Sequence, residues 1–90
     1  MQQTVSILVK GKVQGVFYRQ STKETAIRLG ITGEVKNLAD GNVQIIATGT
    51  EAQLKDLTNW CHKGPPRAVV TEVTIEKIPA RSFSSFSIVR

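Results

Sequence analysis

The stretch GKVQGVFYR, residues 11–19, combines two glycines with an arginine at the point where a helix is predicted to begin. The positive pole of the helix dipole lies at that end, so a cation there is unfavourable unless a negative group offsets it. Glycines in an irregular loop let backbone N–H groups converge on an anion, and the first helical turn adds unpaired donors. The guanidinium of Arg19 can also grip two phosphate oxygens at once. The stretch predicts an anion-binding loop. The alternative is a turn in which the glycines only avoid steric clashes and the arginine is only solvated.

Asn37 is the second residue that could take part in chemistry beside this loop. A helix rises about 1.5 Å per residue, so about ten helical residues carry the chain about 15 Å away from the loop. A strand rises about 3.3 Å per residue, so about five strand residues bring the chain back over the same distance. A strand that begins at Ile31 therefore comes level with Arg19 near residues 35–37. The amide of Asn37 would donate and accept hydrogen bonds beside the loop. The alternative is that Asn37 only helps to start the following hairpin.

The elements that must position these residues follow from periodicity. Alternating apolar residues predict a strand over residues 4–10, and helical spacing predicts a helix from Tyr18 to Leu29. The stretch ITGEVKNLADGNVQIIATG predicts two strands around a tight turn at Asp40-Gly41. A first loop that bears Arg19 and a hairpin strand that bears Asn37 are therefore both expected.

The second half of the chain repeats this pattern. A capping box of Thr50 and Gln53 begins a second helix, which Gly64 and two prolines end. AVVTEVTIEKI predicts a fourth strand, and FSSFSIV a short final one. The aligned face of the fourth strand is expected to hold Val69, Thr71, Val73 and Ile75. The order βαββαβ, with a short extra C-terminal strand, predicts an α+β fold of the ferredoxin-like type: a two-layer sandwich in which two helices cover one face of an antiparallel sheet.

Composition limits the class of protein. The 90 residues suit one domain over residues 1–90, and 40% hydrophobic with 21% charged residues is typical of a globular chain. The net charge of +5 favours anionic partners, but Lys and Arg form no run that indicates a nucleic-acid stripe. Cys61 is alone, which excludes an internal disulfide and a zinc site built on paired cysteines. Without a long apolar run or an export-signal pattern, we expect a cytoplasmic protein that does not bind membranes.

Other classes of protein with the ferredoxin-like fold have sequence features that this chain lacks. An RNA-binding module stacks bases on aromatic residues of its central strands, and the strand NVQIIATG has no aromatic residue. A metal carrier places paired cysteines in the first loop, and GKVQGVFYR has none. An anion-binding enzyme is favoured, and a noncatalytic anion or nucleic-acid binding module is the alternative.

The two stretches GKVQGVFYR and GEVKNLADGNVQIIATG resemble, at the usual separation, the two signature stretches of the acylphosphatase family. The resemblance implies hydrolysis of the carboxyl-phosphate bond of small-molecule acyl phosphates, without a metal or cofactor. It also implies that Arg19 and the loop amides bind phosphate and that Asn37 orients the attacking water. The loop so assigned consists of Gly11, Lys12, Val13, Gln14, Gly15, Val16, Phe17 and Tyr18.

Two residues depart from the family's pattern, and both concern the rim on the substrate side. Glu34 stands where the family usually has an aromatic residue, and Phe17 replaces a residue that is commonly small. The resemblance implies that neither position contributes a catalytic group. The chemistry needs no strong base, because a carboxylate is a good leaving group and the reaction requires mostly placement and charge stabilisation. His62, at the end of the second helix, suits a capping or surface role. We expect a monomer without specific nucleic-acid binding.

Overall fold

The computed structural model describes residues 1–89, which form two helices and five strands. In chain order these are β1 (Gln3–Lys12), α1 (Tyr18–Leu29), β2 (Thr32–Asn37), β3 (Val43–Gly49), α2 (Glu51–Lys63), β4 (Val69–Ile78) and β5 (Phe86–Val89). Both helices and all the expected strands are present, so the predicted ferredoxin-like α+β fold is confirmed. Neither helix in this part of the chain has the length and apolar character that a membrane crossing requires.

The sheet has the strand order β4-β1-β3-β2-β5. The pairs β1–β3, β1–β4 and β2–β3 are antiparallel, as predicted, whereas β5 lies parallel to β2 at the edge. The sheet is therefore mixed. Its inner face carries fully buried residues of the three central strands, such as Ile7, Val35 and Ile45, against which the helices pack.

Local signals set the ends of helix α2. Thr50 Oγ1 accepts a hydrogen bond from the Gln53 N–H, and Gln53 Oε1 accepts one from the Thr50 N–H, so the predicted capping box is confirmed. At the other end the Gly64 N–H donates to the Trp60 carbonyl. These contacts satisfy backbone groups that a helix terminus otherwise leaves unpaired.

The hairpin between β2 and β3 differs in detail from the expected tight turn. The Leu38 N–H donates to the Asn42 carbonyl at 2.8 Å, and the Gly41 N–H donates to the Leu38 carbonyl at 3.2 Å. Gly41 has φ 93°, whereas Asp40 has no positive φ and instead accepts the Asn42 N–H through its carboxylate at 3.0 Å. The turn at Asp40-Gly41 is therefore part of a three-residue loop, which needs only one left-handed residue after its turn.

A register shift in the β1–β4 pair changes the face of β4 that packs inward. Lys10 lies opposite Glu72 but Gly11 lies opposite Val70, so Thr71 is an extra residue in β4. Val70 and Val73 both pack against the core, whereas Val69 is 57% exposed. The expected alignment of Val69 with Thr71 and Val73 was therefore wrong, since a bulge breaks the period of two.

Candidate active site

Because β1 and β2 both pair with β3 in the antiparallel direction, their C-terminal ends lie at the same end of the sheet. Val9 of β1 and Asn37 of β2 both lie opposite Val43 of β3, one on each side of it. The chain leaves β1 at Lys12, passes through residues 13–17 (the β1–α1 loop) and enters α1 beside Asn37. A cavity of about 350 Å³ lies there, lined by Val13, Gly15, Phe17, Tyr18, Arg19, Gln20, Asn37 and Ile88. Arg19 and Asn37 therefore face one space.

The backbone of the β1–α1 loop leaves donors unused. Gly15 and Phe17 have φ values of 74° and 64°, both in the left-handed region. The Phe17 carbonyl accepts the Ser21 N–H at 3.0 Å, but the N–H groups of residues 14–20 have no carbonyl acceptor within residues 1–89. The first turn of α1 also contains no acidic residue. These N–H groups at a helix N-terminus can bind an anion.

Arg19 brings a full positive charge to this group of donors. Its side chain is half-buried, and within residues 1–89 no carboxylate lies close enough to form an ion pair with it. The ion pair recorded in this part of the chain joins Lys10 and Glu72, at 3.9 Å on the surface. The guanidinium of Arg19 can therefore donate to an oxyanion bound in the cavity.

Asn37 is the last residue of β2, and its side chain contributes an acceptor. Alternation along the strand puts Asn37 on the same face as fully buried Val35. Asn37 Oδ1 is buried and has no hydrogen-bond partner among the described residues. Leaving a buried acceptor unpaired costs about 1–3 kcal/mol. The carbonyl oxygen of Asn37 therefore keeps an unused capacity to accept a hydrogen bond.

Gln14 joins the loop to the hairpin that follows Asn37. Its Nε2 donates to the Leu38 carbonyl and to the Asn42 carbonyl, each at 2.8 Å. Both protons of the side-chain amide are used in this way. The loop is therefore fixed against the end of β2, which sets the position of Asn37 relative to the loop.

Tyr18 anchors the start of α1 to α2. The side chain is 1% exposed, its hydroxyl donates to the Cys61 carbonyl at 2.8 Å, and its ring lies 5.3 Å from that of Trp60. Burial raises the pKa of Tyr18 above its usual range and raises the pKa of the Cys61 thiol to about 12. Both groups are neutral at physiological pH, and Tyr18 fixes the direction in which α1 leaves the loop.

Part of the sequence-predicted loop lies outside the cavity lining. Gly11 and Lys12 belong to β1, Val16 is buried in the core, and the side chain of Gln14 points to the hairpin. A Cβ on Gly11 would lie 2.1 Å from the Val69 carbonyl oxygen, so this glycine permits the close approach of β4. The lining includes the other predicted loop residues, namely Val13, Gly15, Phe17 and Tyr18.

Two lining residues were missed by sequence reasoning, and one expected rim residue is elsewhere. Gln20 follows Arg19 in the first turn of α1, and only the start of the helix could have indicated it. Ile88 shares the inner face of the final strand with Phe86, but its place beside the cavity depends on the pairing of β5 with β2. Glu34 alternates with Val35 and lies on the opposite face of the sheet from Asn37, so it does not form part of the rim.

Residues 1–89 contain no group of three or more His, Cys, Asp or Glu side chains that could hold a metal ion. His62 is exposed in the last turn of α2, where a cation suits the helix dipole. Within residues 1–89 the cavity therefore offers backbone N–H groups, one guanidinium and two side-chain amides. Such a set binds an oxyanion and orients a neutral molecule beside it.

Comparison with known proteins agrees with this geometry. Residues 5–88 match the family described as Acylphosphatase. An acylphosphatase of Marinobacter nauticus is 56% identical over 81 residues, which are 89% of this chain and 88% of that protein. The structure of an acylphosphatase from Coxiella burnetii has a TM-score of 0.95 at 40% identity and covers 98% of this chain and 93% of its own. The crystal structure of acylphosphatase from Bacillus subtilis has a TM-score of 0.95 at 33% identity, with both chains fully covered. This chain therefore belongs to the acylphosphatase family.

Proposed function

We propose that this acylphosphatase holds the phosphate of its substrate with Arg19 and the N–H groups of the β1–α1 loop, while Asn37 orients the water that attacks phosphorus. The observation that carries this assignment is that Asn37, whose Oδ1 is buried and has no partner among the described residues, lines the same cavity as Arg19. A cation and an acceptor on one cavity supply what hydrolysis needs, namely a site for the anion and a site for the nucleophile.

Phosphate binding is the first part of the proposal. The N–H groups of residues 14–20 and the guanidinium of Arg19, which have no partner among residues 1–89, supply donors and positive charge in one place. Charge-assisted hydrogen bonds of this kind are about twice as strong as neutral ones. They also stabilise the charge on the equatorial oxygens during transfer, because they are in place before the reaction begins.

Orientation of water is the second part. Asn37 Oδ1 accepts a hydrogen bond from the water and directs the lone pair of the water oxygen at phosphorus. The new O–P bond forms as the P–O bond to the acyl group breaks, and the carboxylate leaves with the bonding electrons. The proton of the water passes to a phosphate oxygen, so no protein base is required. This fits a cavity to which residues 1–89 contribute no His, Asp or Glu side chain.

Metal independence is the third part, and it rests on the donors at the site. Among residues 1–89, the cavity lining has amide and guanidinium groups and none of the carboxylate side chains that hard cations prefer. We expect the same rate of phosphate release from acetyl phosphate with and without EDTA. Loss of activity in EDTA that magnesium restores would contradict the assignment, since a metal would then supply positive charge in place of Arg19.

Further expectations concern the setting of the enzyme. We propose one domain over residues 1–90 that works as a monomer in the cytoplasm, without specific binding to nucleic acid. Sedimentation equilibrium tests the monomer, and cell fractionation tests the location. Titration with inorganic phosphate and with a short RNA tests the partner, because unselective binding of RNA to a basic protein weakens steeply with salt.

The experiment that tests the proposed function is phosphate release from acetyl phosphate by the wild-type chain and by Arg19→Gln. The wild type should turn over the substrate, and Arg19→Gln should lose most of the turnover and most of the inhibition by inorganic phosphate. A chain that binds phosphate and releases none from acyl phosphates would be the noncatalytic anion-binding module instead.

A further inference from the structure

We propose that a cleft between α1 and α2 binds a small aromatic carboxylate, with the ring on Trp60 and the carboxylate held by Arg28 and Lys63. The cleft has a volume of about 360 Å³, which suits a small ligand. Among residues 1–89 it shares no lining residue with the cavity that contains Arg19 and Asn37. Binding there is separate from the proposed hydrolysis and does not depend on it.

One part of the cleft is aromatic and apolar. Trp60 is half-buried, its ring lies 5.3 Å from that of Tyr18, and it lines the cleft together with Pro65 and Pro66. Because Tyr18 already packs against the indole, Trp60 loses little conformational freedom when a flat ligand ring packs on the surface that remains on the cleft. An indole beside two proline rings therefore favours an aromatic ligand.

The charged residues of the cleft favour an anion. Arg28 and Lys63 lie in the last turns of α1 and α2, and within residues 1–89 neither forms an ion pair. Glu24 supplies the carboxylate of the described lining, and it accepts a hydrogen bond from Gln20 Nε2 at 3.1 Å. Two cations therefore outnumber one carboxylate, and both cations can pair with the carboxylate of a ligand.

Thr25 adds a neutral hydrogen-bonding group to the same side of the cleft. It is 5% exposed and lines the cleft, three residues before Arg28 on α1, so the two residues share a face of the helix. Thr22 Oγ1 donates to the Tyr18 carbonyl at 2.8 Å, whereas Thr25 Oγ1 makes no side-chain hydrogen bond within residues 1–89. The hydroxyl of Thr25 is therefore available to donate to a ligand carboxylate beside Arg28.

The probe is 3-phenylpropanoate, which carries a ring at one end and a carboxylate at the other. The described lining of α1 runs from Ser21 to Arg28, about 10 Å along the helix axis, and the probe is of similar length. Trp60 reports binding through its fluorescence, because it is the only tryptophan in the sequence. Saturation-transfer NMR on the ligand provides a second measurement that does not depend on Trp60.

The first comparison is between ligands on the wild-type protein, so it needs no variant. We expect saturable binding of 3-phenylpropanoate with a dissociation constant of about 1 mM or below. The neutral 3-phenylpropanamide should bind at least about fivefold more weakly, because it cannot pair with the two cations. The non-aromatic 3-cyclohexylpropanoate should bind at least about threefold more weakly, because it cannot stack on the indole.

The second comparison is between variants. Arg28→Gln combined with Lys63→Gln should weaken binding of 3-phenylpropanoate at least about fivefold. The matched control combines Lys55→Gln with Lys77→Gln, which removes the same charge from two exposed lysines that do not line the cleft. This control should change the dissociation constant by less than about twofold, since distant surface charges are screened. Arg19→Gln should also leave it within about twofold, because Arg19 lines the other cavity.

Four results would overturn the site in the cleft. The first is that neither measurement detects binding to the wild type at about 10 mM ligand. The second is an equal loss in the two double variants, which would indicate general attraction of an anion to a basic protein. The third is loss of binding in Arg19→Gln, which would put the ligand in the cavity of the proposed active site. The fourth is equal affinity for 3-cyclohexylpropanoate, which would exclude an aromatic ligand. Each of these results leaves hydrolysis of acetyl phosphate, and so the proposed function, intact.

Discussion

The side-chain amide of Gln14 donates to the carbonyl of Leu38 at 2.8 Å, one residue beyond Asn37. A second bond from the same nitrogen to Asn42, also at 2.8 Å, holds the far side of the hairpin. Through these bonds the loop that offers N–H groups to an anion and the strand that offers Oδ1 of Asn37 behave as one unit. In the proposed mechanism, the spacing between phosphate and water therefore depends on a residue that does not line the cavity.

Gln14→Ala should therefore lower kcat more than it lowers phosphate affinity. It removes two hydrogen bonds, at a cost of about 1–3 kcal/mol in the free energy of unfolding, although the Leu38 and Asn42 carbonyls each keep a backbone N–H donor. A displacement of about 1 Å between the loop and Asn37 can cost about 100-fold in rate. The measurements are urea unfolding, kcat on acetyl phosphate and the inhibition constant of phosphate.

Gln14→Glu is the matched control, because it keeps the size of the side chain and replaces the donor with an acceptor that faces two carbonyl oxygens. It should be at least as damaging as Gln14→Ala. Normal kcat in either variant would show that the link between loop and hairpin does not position Asn37.

Gly11 and Gly15 should respond differently to the same change. A Cβ on Gly11 would lie 2.1 Å from the Val69 carbonyl oxygen, whereas a Cβ on Gly15 would meet no atom within 4 Å. Gly11→Ala should therefore destabilise the fold by about 3 kcal/mol or more, since β4 must move. Gly15→Ala should cost about 1–2 kcal/mol, from its φ of 74° alone.

Thermal unfolding of the two glycine variants separates these effects, and phosphate binding adds a second readout. Gly15→Ala should weaken phosphate binding although the chain stays folded at 25 °C, because it disturbs the loop that carries the donors. If the two substitutions destabilised the fold equally, the close approach of β4 would not be the reason that a glycine is required at residue 11.

The sequence predicted the helices and their ends most accurately where neighbouring residues determine them. The capping box of Thr50 and Gln53 marked the start of α2, and apolar spacing marked α1 from Tyr18 to Leu29. Adjacency of Arg19 and Asn37 followed from rise per residue alone, because a helix and its return strand must span the same length. Both residues line one cavity in the structure, as that geometry required.

The features that the sequence did not indicate depend on pairing between distant strands. The extra residue at Thr71 arises where β4 meets β1, so the local period of two could not reveal it. Ile88 reaches the cavity because β5 pairs in parallel with β2, and short apolar runs do not specify a neighbour. Glu34 was expected at the rim because it replaces the aromatic residue that is usual in the family, but strand alternation puts it on the other face of the sheet from Asn37.

Alkaline pH should destabilise the fold through Tyr18 and Cys61. Burial raises both pKa values, so the unfolded chain releases these protons above about pH 9 for Cys61 and pH 10 for Tyr18, while the folded chain keeps them. The unfolded state then binds fewer protons, and the free energy of unfolding falls by about 1.4 kcal/mol per pH unit for each group. Urea unfolding across this range measures the slope.

Tyr18→Phe is the control for the pH dependence. It removes the ionisable hydroxyl, so above pH 10 its free energy of unfolding should fall less steeply with pH than that of the wild type. It should also lower stability at neutral pH by about 1–2 kcal/mol, because the Cys61 carbonyl loses its donor. An identical slope in both proteins would exclude Tyr18 as a source of the alkaline loss.

The most direct test of the central claim measures two constants in parallel, the inhibition constant of inorganic phosphate and kcat on acetyl phosphate, for Arg19→Gln and Asn37→Ala. Arg19→Gln should weaken phosphate binding and turnover together, because it removes the charge that holds the anion. Asn37→Ala should lower kcat about 100-fold or more, since water is no longer oriented, and should change the inhibition constant of phosphate by less than about threefold. Loss of phosphate binding in Asn37→Ala as severe as that in Arg19→Gln would contradict the division of roles and make Asn37 a phosphate ligand or a support of the loop.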